Sequence, residues 1–340
     1  MPAPVLEACN RRPVSPPPVW FMRQAGRYME EYRRIRAEHS ILEICKTPRL
    51  AAEVTLQPVE VLDVDAAIIF ADLLLPFEPM GLKLEFLAGE GPLIRNPVRS
   101  PSDVEGLETR HVQELDYVAE AITEVKKLMN GRVPLIGFVG APFTLASYMI
   151  EGGSSRNYQR TKSMMYHDPK TWNRLLAKIV EVLIPYAASQ VSHGADVMQV
   201  FDSWVGALTP ADYERHLLPH SQTLIRAIQS TGVPVIHFST GGGTFLPLLH
   251  QAGGDVLGVD WRVRIDEAWS SINHGAAIQG NLDPVALFAP LDVLRRSVHD
   301  ILKRVNSRPG FIFNLGHGIL PETPVENVKA VVKMVREYPG

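Results

Sequence analysis

Two cysteines, Cys9 and Cys45, are all that 340 residues contain, and they lie in no C-x-x-C or zinc-ligand spacing. That excludes a disulfide framework and a cysteine-held structural metal, and it points to a reducing compartment. No run approaches the roughly 18 apolar residues of a membrane span, and the start M-P-A-P-V-L-E-A-C has neither a basic flank nor an apolar core. The expectation is a cytoplasmic protein. Charge is nearly balanced at −3, so the chain as a whole has no electrostatic reason to hold nucleic acid or an anionic membrane. Any anion site must be local. Repeats, low-complexity tracts and linker-like stretches are also missing, which leaves one domain over 1–340, preceded by a proline-rich arm at 1–17. The three glycines 241–243 lack the lysine or Gly-x-Gly-x-x-Gly frame of a phosphate loop.

What is present is ordinary in amount and organised in placement. Hydrophobic residues make up 46% and charged residues 21%, enough for a large single core. Eight short apolar runs recur, each leading into polar or glycine residues. They begin at Pro18-Val19-Trp20-Phe21-Met22 and at residues 65–70, 134–138, 195–201, 233–238, 256–259, 276–279 and 311–314. Continuous rather than alternating apolar runs suit strands buried on both faces, and segments such as 169–193 and 210–231 are long enough for crossover helices. Eight such strands alternating with helices predict a (β/α)8 TIM barrel, an α/β fold. Leu82–Phe86 and Leu93–Pro97, flanking Gly89-Glu90-Gly91-Pro92, predict a small β-hairpin inserted after the second strand, at the rim.

In such a barrel the loops after the strands form the active site. Arg23, Asp72, Thr144, Asp202-Ser203, Ser239, Asp260, Asn281-Asp283 and His317 therefore stand as candidates to converge on one pocket. Arg23 and Arg27 offer planar forks of donors suited to carboxylates or phosphates, with the solvated first turn of a helix as the plainer alternative. Arg36 is either a further clamp or a solvated helix charge. Asp72 stands between Ile68-Ile69-Phe70-Ala71 and Leu73-Leu74-Leu75 with no opposite charge nearby in sequence. Its carboxylate must accept hydrogen bonds or carry a raised pKa, and an N-cap is the structural alternative. His317 between Gly316 and Gly318 lies where a ligand can come close, and Tyr148 is placed to donate its hydroxyl into the mouth or simply to pack beside Met149.

The runs M-R-Q-A-G-R-Y at 22–28, A-A-I-I-F-A-D at 66–72, G-F-V-G-A-P-F-T-L-A-S-Y at 137–148, Q-G-N-L-D-P at 279–284 and L-G-H-G at 315–318 closely resemble the uroporphyrinogen decarboxylase family. The resemblance runs in order from about Pro18 to the last helix. It implies a homodimeric barrel that removes CO2 from the four acetate arms of uroporphyrinogen III, giving coproporphyrinogen III, with no metal or organic cofactor. It further implies that Arg23, Arg27, Arg36 and Gln24 bind substrate carboxylates, and that Asp72 accepts hydrogen bonds from pyrrole N–H groups. Tyr148 and Ser203 would contact the arms, His317 would line the cleft, and Ile68, Phe70, Leu74 and Phe201 would form apolar walls. The catalytic candidates are Asp72, Arg23, Tyr148 and His317, and the proton donor is either Arg23 through a water or protonated Asp72. A corrinoid-linked methyltransferase on the same barrel would need zinc-binding cysteines, but His237 is followed by Phe238-Ser239 and the last strand by Gly316-His317. A tetrapyrrole carrier without catalysis is the second rival.

Overall fold

In the computed structural model, residues 3–87 and 91–339 are described. The barrel strands are β1 (Ala67–Ile68), β4 (Leu135–Gly140), β5 (Val197–Asp202), β6 (Val235–Ser239), β7 (Val256–Gly258), β8 (Ala277–Leu282) and β9 (Phe311–Leu315). They pair in parallel in the order β1-β4-β5-β6-β7-β8-β9. β2 (Leu84–Leu87) and β3 (Gly91–Ile94) form a separate antiparallel pair. Helices fill the connections, among them Pro48–Leu62, Pro142–Glu151 and Pro169–Ser192. The chain folds as the expected TIM barrel, with six of the eight predicted strands recovered at nearly full length.

The first predicted strand survives as one bridge, Val19 to Phe313. The carbonyl of Pro18 accepts from Phe313 N–H at 2.8 Å, and that of Val19 accepts from Asp65 N–H at 2.8 Å. This segment thus joins β9 to the lead-in of β1 and closes the ring. It stops there because side chains take the next donors. Phe21 N–H goes to Gln24 Oε1 at 3.1 Å and Met22 N–H to Asn314 Oδ1 at 3.1 Å. β1 is cut short in the same way, where Phe70 N–H turns to Thr55 Oγ1 at 2.9 Å.

The lower end of the barrel carries one device three times. Asp65 donates its N–H to Val19 O and accepts Val19 N–H on Oδ2, both at 2.8 Å. Asp196 does the same with Leu135, at 2.8 and 2.7 Å, and Asp255 with Val235, at 2.8 Å each. Each aspartate sits just before one strand and clamps the start of its neighbour, satisfying a donor that would otherwise be left over where pairing begins. Arg336, Lys126 and Gln229 hold the carboxylates from outside, at 3.3, 2.7 and 3.2 Å.

Three expectations need correction. Residues 1–17 are not simply an arm: Pro4–Cys9 is a helix with Val5, Ala8 and Cys9 buried. Proline is tolerated in a first helical turn, and the i, i+3, i+4 apolar spacing gives that helix a face to bury against β9. The hairpin pairs Leu84 with Ile94 and Leu87 with Gly91, its strand ends one to three residues inward of the predicted ones, while Gly89 and Glu90 of its turn lie outside the described residues. Ile94 and Val98 N–H groups tie it to the carbonyls of Gly152 and Met149. The helix Pro169–Ser192 does reach the length and apolarity of a membrane span. Its Trp172, Leu175, Leu176 and Ile179 are buried, and Lys178 Nζ is bonded to the carbonyls of Glu105 and Leu107 at 2.7 and 2.8 Å.

Candidate active site

Arg23 leaves the first strand position with φ at +57°, a conformation that strains any residue with a Cβ and recurs at functional sites. Its alkyl chain lies against Gly318, where a Cβ would come within 2.5 Å of Arg23 Cδ. Gly316 is equally hemmed in, since a Cβ there would meet Trp261 N at 2.5 Å. The two glycines around His317 therefore admit Arg23 on one side and the loop Asp260-Trp261-Arg262 on the other. His317 is left half-buried between two guanidiniums. Burial first, then Arg23 and Arg262, push its pKa down to about 4, so it is a neutral imidazole near pH 7.

Asp72 follows β1 and is partly accessible. Leu74 N–H donates to its Oδ1 at 2.9 Å, and among the described residues no hydrogen bond reaches Oδ2. Burial raises its pKa, opposed by the Leu74 N–H and by the charge of Arg23. The N-cap alternative is half right: the bond forms an Asx turn into the short 3-10 turn Leu75–Phe77, but it occupies only one oxygen.

Tyr148, on the helix after β4, stacks on Trp204 with centroids 3.9 Å apart and 31° between planes. Burial, and next the charge of Asp72, push its phenol up to about 12, with Arg23 acting the other way. Asp72, Arg23 and Tyr148 thus share one electrostatic neighbourhood, with a neutral O–H donor among them. Apolar walls adjoin it. Phe138 and Phe201 meet edge to face at 5.5 Å, Phe201 and Phe238 at 5.8 Å, and Phe238 approaches His317 at 6.5 Å. On the other side Phe70 packs on Tyr32 at 5.5 Å, and the charges of Arg36 and Arg27 bear on Tyr32. Ile68, Phe70, Phe201 and Ser203 are half-buried, Arg27 exposed.

Other candidates are placed differently from the expectation. Gln24 is 1% exposed, with Oε1 taken by Phe21 N–H and Nε2 donating to Ala66 O at 2.9 Å. It fixes the arginine turn and does not reach a ligand with its amide. Leu74 is 2% exposed and contributes its N–H, not a wall. Arg36 donates to His39 O at the end of its own helix, which leaves only its remaining nitrogens for a ligand. Of the strand-end residues expected to converge, several are locked inside. Asp260 accepts from Gly241 N–H at 2.8 Å and Arg262 N–H at 3.1 Å, and pairs with the Arg262 guanidinium. Asn281 Nδ2 donates to Asp260 O and Val263 O, Asp283 caps the turn Pro284–Phe288, and Ser239 and Thr144 are buried. Two residues were missed, Trp204 under Tyr148 and Arg262 beside His317. Both stand two residues after a strand-end aspartate, in Asp202-Ser203-Trp204 and Asp260-Trp261-Arg262, a placement that marks them as loop residues of the same face. Among the described residues no group of three or more His, Cys, Asp or Glu side chains gathers to hold a metal ion.

Comparison with known proteins adds a family to this geometry. The sequence profile described as uroporphyrinogen decarboxylase matches residues 2–338. The uroporphyrinogen decarboxylase of Solibacter usitatus (strain Ellin6076) is 66% identical over 98% of this chain and 96% of its own length. That of Koribacter versatilis (strain Ellin345) is 55% identical over 98% and 95%. Among solved structures, a methyltransferase from Methanosarcina mazei superposes with a TM-score of 0.82 at 22% identity, covering 98% of this chain and 97% of that one, a likeness of fold.

Proposed function

The chain belongs to the uroporphyrinogen decarboxylase family and decarboxylates uroporphyrinogen in porphyrin and haem biosynthesis, and we propose that it does so with Asp72 and Arg23 facing one macrocycle in this cleft. The observation that carries this reading is the single electrostatic neighbourhood of Asp72, Arg23 and Tyr148 at the end of the barrel where the strands finish, with Asp72 Oδ2 free of hydrogen-bond partners among the described residues. The substrate is uroporphyrinogen III, its four acetate arms become methyl groups, and coproporphyrinogen III is the product.

Losing CO2 from an acetate arm leaves an electron pair that needs a sink, and the pyrrole itself provides one. A proton added to the ring α-carbon makes an iminium-like cation. The C–CO2 bond then breaks, its pair flows into that cation, and CO2 departs. The exocyclic CH2 takes up a proton and the α-carbon loses one, which restores the pyrrole and leaves a methyl group. In its anionic form Asp72 accepts from a pyrrole N–H on Oδ2. A carboxyl raised by burial also lies closer to the protonation range an acid catalyst needs, so Asp72 delivers the α-carbon proton and, once anionic, faces the cation it has made. The opposite assignment, an arginine acid, asks a group with a pKa above 12 to let go of its proton. Arg23, Arg27 and Arg262 receive carboxylates, neutral Tyr148 and His317 hydrogen-bond to the arms, and Phe70 and Phe201 exclude water, which strengthens each charge interaction.

A homodimer fits the surface: Val285, Phe288, Leu291 and Val293, 37–60% exposed, form an apolar stretch directly after β8, at the same end as the cleft. Cys9 and Cys45, buried and unpaired, are compatible with the cytoplasm. Anaerobic incubation with uroporphyrinogen III, reading CO2 and the loss of carboxyl groups, tests the activity. Porphyrinogen binding with no CO2 released would leave the carrier in its place.

A further inference from the structure

Asp202 ends β5 with a side chain 1% exposed and one hydrogen bond, from the Thr144 hydroxyl to Oδ1 at 3.2 Å. Among the described residues Oδ2 is buried without a partner. Burial pushes this carboxyl up to about 7, and the ionisable group facing it is the Tyr213 phenol of the helix Pro210–His216. A buried carboxyl with one oxygen unpaired weakens a fold, and an amide of the same shape would weaken it less. Stability therefore gives no reason for an acid here.

Its single contact leads to the cleft. Thr144 stands one helical turn before Tyr148 on Pro142–Glu151. A threonine in a helix tends to turn its hydroxyl back to the carbonyl four residues earlier, here that of Gly140. With Asp202 taking the hydroxyl proton instead, Thr144 Oγ1 faces outward and accepts Trp204 N–H at 3.3 Å. Trp204 carries the indole on which the Tyr148 ring lies, and Ser203 sits between Asp202 and Trp204.

We propose that Asp202 is a positioning residue that acts through Thr144 and Trp204 to set the Tyr148 ring in the cleft. This rests on the decarboxylase reading and on Tyr148 as a contact to the substrate arms.

The test is a mutant cycle in the anaerobic decarboxylation assay with Asp202→Ala, Asp202→Asn, Thr144→Val, Tyr148→Phe and the Asp202→Ala/Tyr148→Phe double variant, each with its Tm. A ring moved by a fraction of an ångström lowers kcat/KM by roughly 10-fold in Asp202→Ala and Thr144→Val, divided between kcat and KM as in Tyr148→Phe. Asp202→Asn, whose amide oxygen still accepts from Thr144, stays within about 3-fold of wild type and has an equal or higher Tm at pH 8, where the carboxyl is charged. The double variant is no worse than Tyr148→Phe alone. Losses that multiply in the double variant, an Asp202→Asn protein as impaired as Asp202→Ala, or an unimpaired Tyr148→Phe would overturn the proposal while the decarboxylase reading stands. A wild-type protein that releases no CO2 would sink both.

Discussion

Aspartates stand at both ends of this barrel, and the two sets behave in opposite ways. Asp65, Asp196 and Asp255 at the strand starts each give a backbone N–H to a neighbouring strand, accept one from it on the carboxylate, and meet an outside partner. Among the described residues, the carboxyls of Asp72 and Asp202 at the strand ends each make one hydrogen bond. Asp260 lies between these extremes, at the cleft end but fully engaged. A carboxylate with its lone pairs occupied is part of the scaffold. One left short of partners is reactive or holds something that is, and the fold bears its desolvation.

The comparison breaks most visibly at Asp72. Asp72→Asn is expected to lower kcat by about 10³-fold with the Tm nearly unchanged, since an amide neither carries the proton nor faces a cation as an anion. Steady-state kinetics beside thermal melts check it, and kcat within 10-fold of wild type would remove Asp72 from the mechanism. Arg23→Ala should cost about 10² in kcat/KM, and Arg23→Lys should recover little of it because an ammonium lacks the planar fork.

The strand-start set should give the reverse pattern. Asp196→Ala is expected to destabilise the fold by about 2 kcal/mol in urea titration, through the lost Leu135 bond and the unpaired Lys126, while kcat of the folded enzyme stays within about 2-fold. Gly318→Ala adds one methyl 2.5 Å from Arg23 Cδ and should shift that guanidinium, costing ~10-fold in kcat/KM with little change in Tm.

The smallest effect concerns a buried and a half-buried histidine. His237, 1% exposed on β6, and His317 both have pKa values pushed down to about 4, mainly by burial. Between roughly pH 6.5 and 4 the unfolded chain binds protons that the native protein does not, so stability falls as pH drops through that window. His237→Gln should remove a slope of at most about 1.4 kcal/mol per pH unit there, leaving activity near pH 7 unchanged. An unaltered acid limb in urea titrations would show that His237 is not responsible.

Most of the ring was legible in the sequence. Residues 134–138, 195–201, 233–238, 256–259, 276–279 and 311–314 each gave a strand within a few positions, because burial on both faces imposes a continuous apolar run that is visible locally. The helix Pro48–Leu62 continues through Pro58 inside it. Arg23, Asp72 and His317 were readable as strand-end residues, and Tyr148 as a hydroxyl a few residues beyond one. That they share one neighbourhood followed only from closing the ring.

By itself the sequence determined which segments become strands and helices and that polar residues gather where strands end, since both follow from neighbours a few residues apart. Tertiary structure alone decided which polar side chains stay available. Asp65 and Asp72 both flank one apolar run, yet one is locked to Val19, 46 residues away, and the other opens to the cleft. Met22 loses its place in a strand to an asparagine 292 residues later. Hydrogen-bond partners are chosen by proximity in space, so whether a buried acid is satisfied or left reactive is written in contacts that no local pattern records.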